Sequence, residues 1–67
     1  MLEIHYSPGG GPTKVARYEK VTDFLSAEYL EVPPFADSDR VTKVLLDGQD
    51  YRLDEPTIEG LFRALGG

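Results

Sequence analysis

The stretch RVTKVLLDGQDYRL, residues 40–53, decides the fold of this chain. Asp47-Gly48 is a dipeptide suited to the two positive-φ positions of a type I′ turn, which joins antiparallel strands through two residues. That turn places Leu46 opposite Gln49 and continues the pairing outward from there. The alternation predicts a buried face with Val44, Leu46, Tyr51 and Leu53, and an opposite face with Val41, Lys43 and Leu45.

A second hairpin is expected at the start of the chain. Residues 2–7, LEIHYS, alternate between apolar and polar in the period of a strand. Residues 13–18, TKVARY, supply β-branched and aromatic side chains, although Val15 and Tyr18 cannot share a face of a regular strand. The glycine-rich segment SPGGGPTK then reads as the connection between two antiparallel strands.

Each hairpin is followed by a helical pattern. In VTDFLSAEYL, residues 21–30, Thr22 is the expected N-cap. In DEPTIEGLFRALGG, residues 54–67, Asp54 or Glu55 is the expected cap, and Gly60 either weakens the helix or permits a close contact. The second helix carries one apolar stripe, formed by Ile58, Leu61, Phe62 and Leu65.

The element order β-β-α-β-β-α defines an α+β fold. Four antiparallel strands in one sheet, with two helices packed on one face, bury the apolar side of every element in two layers. Sixty-seven residues suffice for a single domain, spanning residues 1–67, with a thin core.

The composition limits the partners that the protein is expected to bind. The net charge is −5, with three basic and two acidic side chains in residues 1–20 and four basic and ten acidic side chains in the remainder. Such a field repels nucleic acid and anionic lipid, so neither partner is expected. The chain has no cysteine and no apolar run long enough to span a bilayer. We therefore expect a soluble, cytoplasmic protein.

Several of these features resemble one known family. The first strand reads L-E-I-x-Y, the second hairpin reads V-x-K-V-x-x-D-G from Val41 to Gly48, and a short amphipathic helix follows. This layout is similar to a family of short uncharacterised proteins, a domain of unknown function, from streptococci and related lactic acid bacteria. The resemblance implies the same fold and a bacterial cytoplasm, and it supplies no catalytic residues.

The glycine-rich segment does not have the pattern of a phosphate-binding loop. A Walker loop has the order Gly-Lys-Ser/Thr between a strand and a helix. Here Thr13 precedes Lys14, a strand is expected to follow, and Pro12 removes a backbone N–H group. We interpret the segment as a connection, with a weak anion site as the alternative.

The chain offers little for catalysis or metal binding. His5 is the only histidine, and the alternation places it on the surface of a strand. The acidic residues near Asp37–Asp39 and at Asp47 and Asp50 lack the spacing of a calcium-binding loop. We therefore predict no catalytic activity, no metal site and no cofactor.

Two features indicate contact with another protein. If both helices cover one face of the sheet, the open face carries His5, Val41 and Leu45, with Val15 as a further candidate, and this set is more apolar than solvation requires. Phe35 is either a solvent-facing loop aromatic or a residue that closes the edge of the core. The sequence thus predicts a protein-protein interaction module, with an unidentified protein partner or a weak homodimer.

The terminal Gly66-Gly67 supports an alternative. Ubiquitin-like modifiers and small sulfur carriers are acidic, similar in length and end in two glycines. In those proteins the glycines form an extended tail after a strand, whereas here they follow a predicted helix in which Gly66 is explained as a C-cap.

Overall fold

The computed structural model describes residues 1–30, 35, 36 and 38–66. A short 3-10 turn, Pro8–Gly10, lies between the first two strands. The main elements are β1 (Leu2–Ser7), β2 (Lys14–Tyr18), α1 (Val21–Glu28), β3 (Arg40–Leu46), β4 (Gln49–Asp50) and α2 (Ile58–Ala64). The predicted order and the α+β class are confirmed.

The four strands form one antiparallel sheet in the order β2-β1-β3-β4. β1 lies between β2 and β3, so the two hairpins meet through the first and third strands of the chain. Val15 pairs with His5, and Tyr18 pairs with Leu2, which places Val15 and Tyr18 on opposite faces as expected.

The second hairpin turns where the sequence predicts. Asp47 and Gly48 have φ values of 52° and 83°, which are the two left-handed positions of a type I′ turn. Leu46 pairs with Gln49, as predicted. However, β4 has only two residues, because the chain leaves β3 soon after the turn. It returns where the Pro56 carbonyl accepts a hydrogen bond from the Val41 N–H at 2.9 Å.

A β-bulge interrupts the pairing of β1 with β3. His5 pairs with Lys43, but the next residue, Tyr6, pairs with Val41, which leaves Thr42 as an extra residue. The Thr42 hydroxyl donates to the His5 carbonyl at 3.2 Å. Because the bulge reverses the alternation, Val41 lies in the core and is only 6% exposed. The prediction that Val41 lies on the open face is wrong.

The core lies between the sheet and the two helices. Both helices contribute side chains to the cluster that contains the core-facing residues of β1, so both pack on one face of the sheet, as predicted. The buried members are Leu2, Ile4, Phe24, Phe35, Val41, Val44, Ile58 and Leu61.

The helix starts differ from the predictions. α1 begins after Lys20, which makes no side-chain cap, and Thr22 lies inside the helix. α2 begins after Thr57, whose Oγ1 accepts a hydrogen bond from the Gly60 N–H at 3.1 Å. The predicted caps at Thr22 and at Asp54 or Glu55 are therefore wrong. α2 begins after Thr57 because an isolated antiparallel β-bridge between Arg40 and Thr57 fixes that part of the backbone beside β3.

Candidate interaction surface

One face of the sheet has no helix packed on it in the described part of the chain. The strand register assigns its side chains, because residues directly opposite each other in antiparallel strands lie on the same face. The open face carries Glu3, His5, Val15, Arg17, Lys43, Leu45 and Asp50.

An ion cluster lies at the centre of this face. Glu3 accepts a hydrogen bond from His5 Nε2 on Oε2 at 2.7 Å and one from Arg17 Nε on Oε1 at 2.8 Å. The hydrogen bond from His5, followed by that from Arg17, holds the pKa of the Glu3 carboxyl below its ordinary value of 4.5. The cluster joins β1 to β2 and fixes the orientation of the single histidine.

Apolar side chains lie on both sides of the cluster. Val15, on β2, is 42% exposed, and Leu45, on β3, is half-buried. Lys43 and Asp50 add exposed charges toward the other edge. The face is therefore a mixture of apolar and charged groups rather than a uniformly solvated surface.

The structure separates the residues that the sequence assigned to an interaction surface. His5 and Leu45 lie on the open face, as predicted. Phe35 is only 5% exposed, and its ring lies 4.8 Å from the ring of Tyr6 and 6.0 Å from that of Phe24. Of the two interpretations of Phe35, the core position is the observed one. Val41 is also in the core, because the bulge at Thr42 reverses the alternation of β3.

Sequence reasoning did not identify the ion cluster. Glu3 and Arg17 are 14 positions apart, and only the register of β1 with β2 brings them together. A signal was nevertheless present, because Glu3 and His5 are two positions apart in one strand and therefore lie side by side on the face opposite Leu2 and Ile4.

The glycine-rich segment connects β1 to β2, as interpreted from the sequence. Gly9 and Gly10 have φ values of 56° and 75°, a backbone conformation that other residues rarely adopt. The Gly11 N–H donates to the Pro8 carbonyl at 2.8 Å, and the Ser7 hydroxyl donates to the Gly11 carbonyl. These bonds close a compact turn within the segment.

An open cleft of about 490 Å³ lies between β3 and the chain that follows β4. It occupies the gap between the two places where β3 is paired on this side, namely with β4 and with residues 56–58. Lys43, Asp50 and Arg52 are its charged lining residues. Within the described ranges, no three His, Asp or Glu side chains are grouped so that they could hold a metal ion.

The C-terminal segment has the arrangement that a helix cap requires. α2 extends to Ala64, Leu65 follows as the C-cap, and Gly66 has a φ of 109°. Gly67 lies outside the described residues, and Asp37 does as well. The hypothesis that Gly66-Gly67 is a modifier tail stays a prediction.

Comparisons with known proteins give no identification. No protein-family model, no curated protein and no solved structure matches this chain. The resemblance to the streptococcal family therefore stays a prediction. Among the helices that the structure describes, none has the length and apolar character needed to cross a membrane.

Proposed function

We propose that this chain is a small non-catalytic domain that acts through contact with another protein, in a bacterial cytoplasm. The observation that carries the proposal is the one-sided arrangement of the fold. Both helices pack on the face that contains the core, and the opposite face keeps Val15 and Leu45 beside an ordered ion cluster.

The division of apolar residues supports this function. Val41 and Phe35 are buried in the core, whereas the apolar side chain of Val15 is exposed and contributes little to the core. Interfaces between separately folded proteins typically combine apolar groups with charged and polar groups in this way. The open face has the composition of such an interface.

The chemical groups of the face favour binding over catalysis. His5 is the only histidine of the chain, and its Nε2 is engaged by Glu3 on an open surface. A general acid or base with a tuned pKa usually lies in a cleft that excludes water. The net charge of −5 also disfavours nucleic acid and anionic membranes as partners.

A site-specific crosslinking experiment tests the proposal. A photo-reactive amino acid replaces Leu45 on the open face or, as the matched control, Thr22 on the exposed side of α1. We expect adducts from the Leu45 position in cells of the source organism and none from the Thr22 position. Mass spectrometry identifies the adduct, including an adduct with a second copy of the chain.

Purified components then complete the test. Leu45→Glu should weaken binding of the identified partner at least tenfold and leave the unfolding transition of the domain nearly unchanged. Equal labelling from both positions, or partner binding that is unaffected by Leu45→Glu, would exclude the open face as the binding surface.

A further inference from the structure

Backbone hydrogen bonds show toward which neighbouring strand each residue of β1 directs its N–H and C=O groups. The Met1 carbonyl accepts from the Asp47 N–H at 2.9 Å, and the His5 carbonyl accepts from the Thr42 hydroxyl at 3.2 Å. Successive residues of a strand direct their N–H and C=O groups to alternate sides. The odd-numbered residues of β1 therefore direct their backbone N–H and C=O groups toward β3, and the even-numbered residues direct theirs toward β2.

The alternation continues in β2. The even-numbered residues of β1 pair with Tyr18, Ala16 and Lys14, which direct their backbone groups back toward β1. Val15 and Arg17 consequently direct their N–H and C=O groups away from the sheet. β2 is an edge strand, and in the described part of the chain no backbone hydrogen bond reaches these two residues from outside the sheet. This edge offers two donors and two acceptors, about 7 Å apart.

β2 itself carries two basic side chains, Lys14 and Arg17, and no acidic one. Lys14, Arg17 and Lys20 are all exposed, with Glu19 between them and Glu3 bound to Arg17. Three strand spacings of about 4.8 Å put β4 about 14 Å away. That distance exceeds the screening length of about 8 Å at physiological ionic strength. Acidic groups of α1 lie nearer, since the Asp23 N–H donates to the Lys20 carbonyl, and burial followed by the charge of Glu28 raises the pKa of Tyr18 on β2. The positive charge is therefore confined to the strand itself, at Lys14 and Arg17.

We propose that the outer edge of β2 binds an extended acidic segment of a protein partner, which adds to the sheet as a fifth strand. The backbone groups of Val15 and Arg17 supply the hydrogen bonds of the new pairing, and Lys14 and Lys20 select acidic side chains. The inference rests on the proposed function, because it names the chemistry of the partner and the edge that receives it.

A second copy of the chain fits this edge less well. Two β2 edges in contact bring two basic surfaces together. Lys14 also lies on the core-facing side of the edge strand, since it pairs with Tyr6. Charged side chains in such positions oppose edge-to-edge association of identical sheets. The same charges accept a strand of opposite sign, which gives the edge selectivity.

Amide hydrogen exchange of the full chain tests the proposal. The probe is a short capped peptide that alternates threonine and glutamate, and the control peptide has lysine in place of glutamate. We expect the acidic peptide to slow exchange at the Val15 and Arg17 amides at least tenfold, and to leave the Ala16 amide, which already bonds to β1, nearly unchanged. The lysine peptide should have no effect.

Two variants locate the contact. Val15→Pro removes one outward N–H group at an edge position where proline is tolerated, and Val15→Thr is its matched control. Lys14→Glu combined with Lys20→Glu reverses the charge and should weaken binding about tenfold or more. If Val15→Pro unfolds the domain, as judged by circular dichroism, the charge reversal decides alone.

Three outcomes would overturn the inference. They are equal protection by both peptides, protection at residues outside β2, and a dimer of the free protein in sedimentation that is lost in Val15→Pro. If the Leu45 position crosslinks a partner and the acidic peptide does not protect β2, the proposed function stands and the strand addition is wrong. If the acidic peptide protects β2 and the Leu45 position crosslinks no partner, the strand addition stands and the open face is not the binding surface.

Discussion

Each half of the chain is a hairpin followed by a helix, but the two helices are held in place by different means. α1 begins without a side-chain cap, and Phe24 anchors it in the core with its ring 5.9 Å from that of Tyr18. α2 begins at the Thr57 cap, and Gly60 brings its backbone against Glu55. α1 is thus held mainly by side-chain packing, whereas α2 adds a side-chain cap and a close backbone contact to the packing of Ile58 and Leu61.

The same kind of substitution should therefore act differently in the two halves. Alanine is the most favourable residue in a helix, so an exposed helical residue replaced by alanine usually changes stability little or increases it. Where a helix is positioned through its backbone, an added methyl group or a lost cap acts directly on that position.

The largest effect is expected at Gly60. A Cβ atom at this position would overlap the carbonyl oxygen of Glu55, so the backbone would have to move. Gly60→Ala should lower the free energy of unfolding by about 2–3 kcal/mol, although the change in helix propensity alone would raise it by about 1 kcal/mol. Urea denaturation measures the difference.

Ser26→Ala in α1 is the matched control for Gly60→Ala. Ser26 is exposed and helical, and its replacement should leave stability within about 0.5 kcal/mol of the original. A stabilised Gly60→Ala protein would show that α2 does not pack against Glu55.

A smaller effect is expected at the helix starts. Thr57→Ala removes the acceptor of the Gly60 N–H and should cost about 1 kcal/mol, whereas Thr57→Ser should retain most of the stability. Thr22→Ala should change it by less than about 0.5 kcal/mol, because Thr22 is an exposed residue inside α1 and not its cap. Equal losses at Thr22 and Thr57 would contradict the difference between the two helices.

The smallest effect concerns the pH dependence contributed by the first half. The pKa of Glu3 is lowered in the folded state, so its ionised form stabilises the fold at pH values above the ordinary 4.5. This contribution is lost as the pH falls from about 4.5 through the lowered folded value. Glu3→Gln should remove that part of the acid destabilisation, as urea midpoints across this pH range would reveal.

The two partners of Glu3 can be separated by a carboxyl-carbon NMR titration. His5→Ala and Arg17→Ala should each raise the pKa of Glu3, because each variant removes a hydrogen-bond donor to its carboxylate. An unchanged pKa of Glu3 in either variant would show that the replaced residue does not bond to Glu3 in solution.

Features that depend on neighbouring residues could be predicted from the sequence, whereas features that depend on residues distant in the chain could not. The turn at Asp47-Gly48 depends on neighbouring residues, and its type and register are correct to the residue. The position of Val41 depends on how β3 pairs with β1, which is distant in sequence, so simple alternation assigned it to the wrong face. The start of α2 was misplaced for the same reason, since the bridge from Arg40 to Thr57 sets it.

The candidate surface shows the same limit. His5 and Leu45 were placed correctly, because alternation within one strand is enough to assign their face. The contact of Glu3 with Arg17 requires the register of β1 with β2, and it was missed together with the Glu3–His5 contact within β1. The backbone direction of Val15 likewise depends on hydrogen bonds made on the far side of β1.

The bulge at Thr42 also bears on how the length of this chain can vary. Removing one residue from a regular strand turns every side chain on one side of the deletion to the other face. Without Thr42, however, His5 would still pair with Lys43 and Tyr6 with Val41, now in an uninterrupted ladder. Thr42 is therefore a position in the sheet where a sequence with this fold can be one residue shorter and still keep the same side chains in the core.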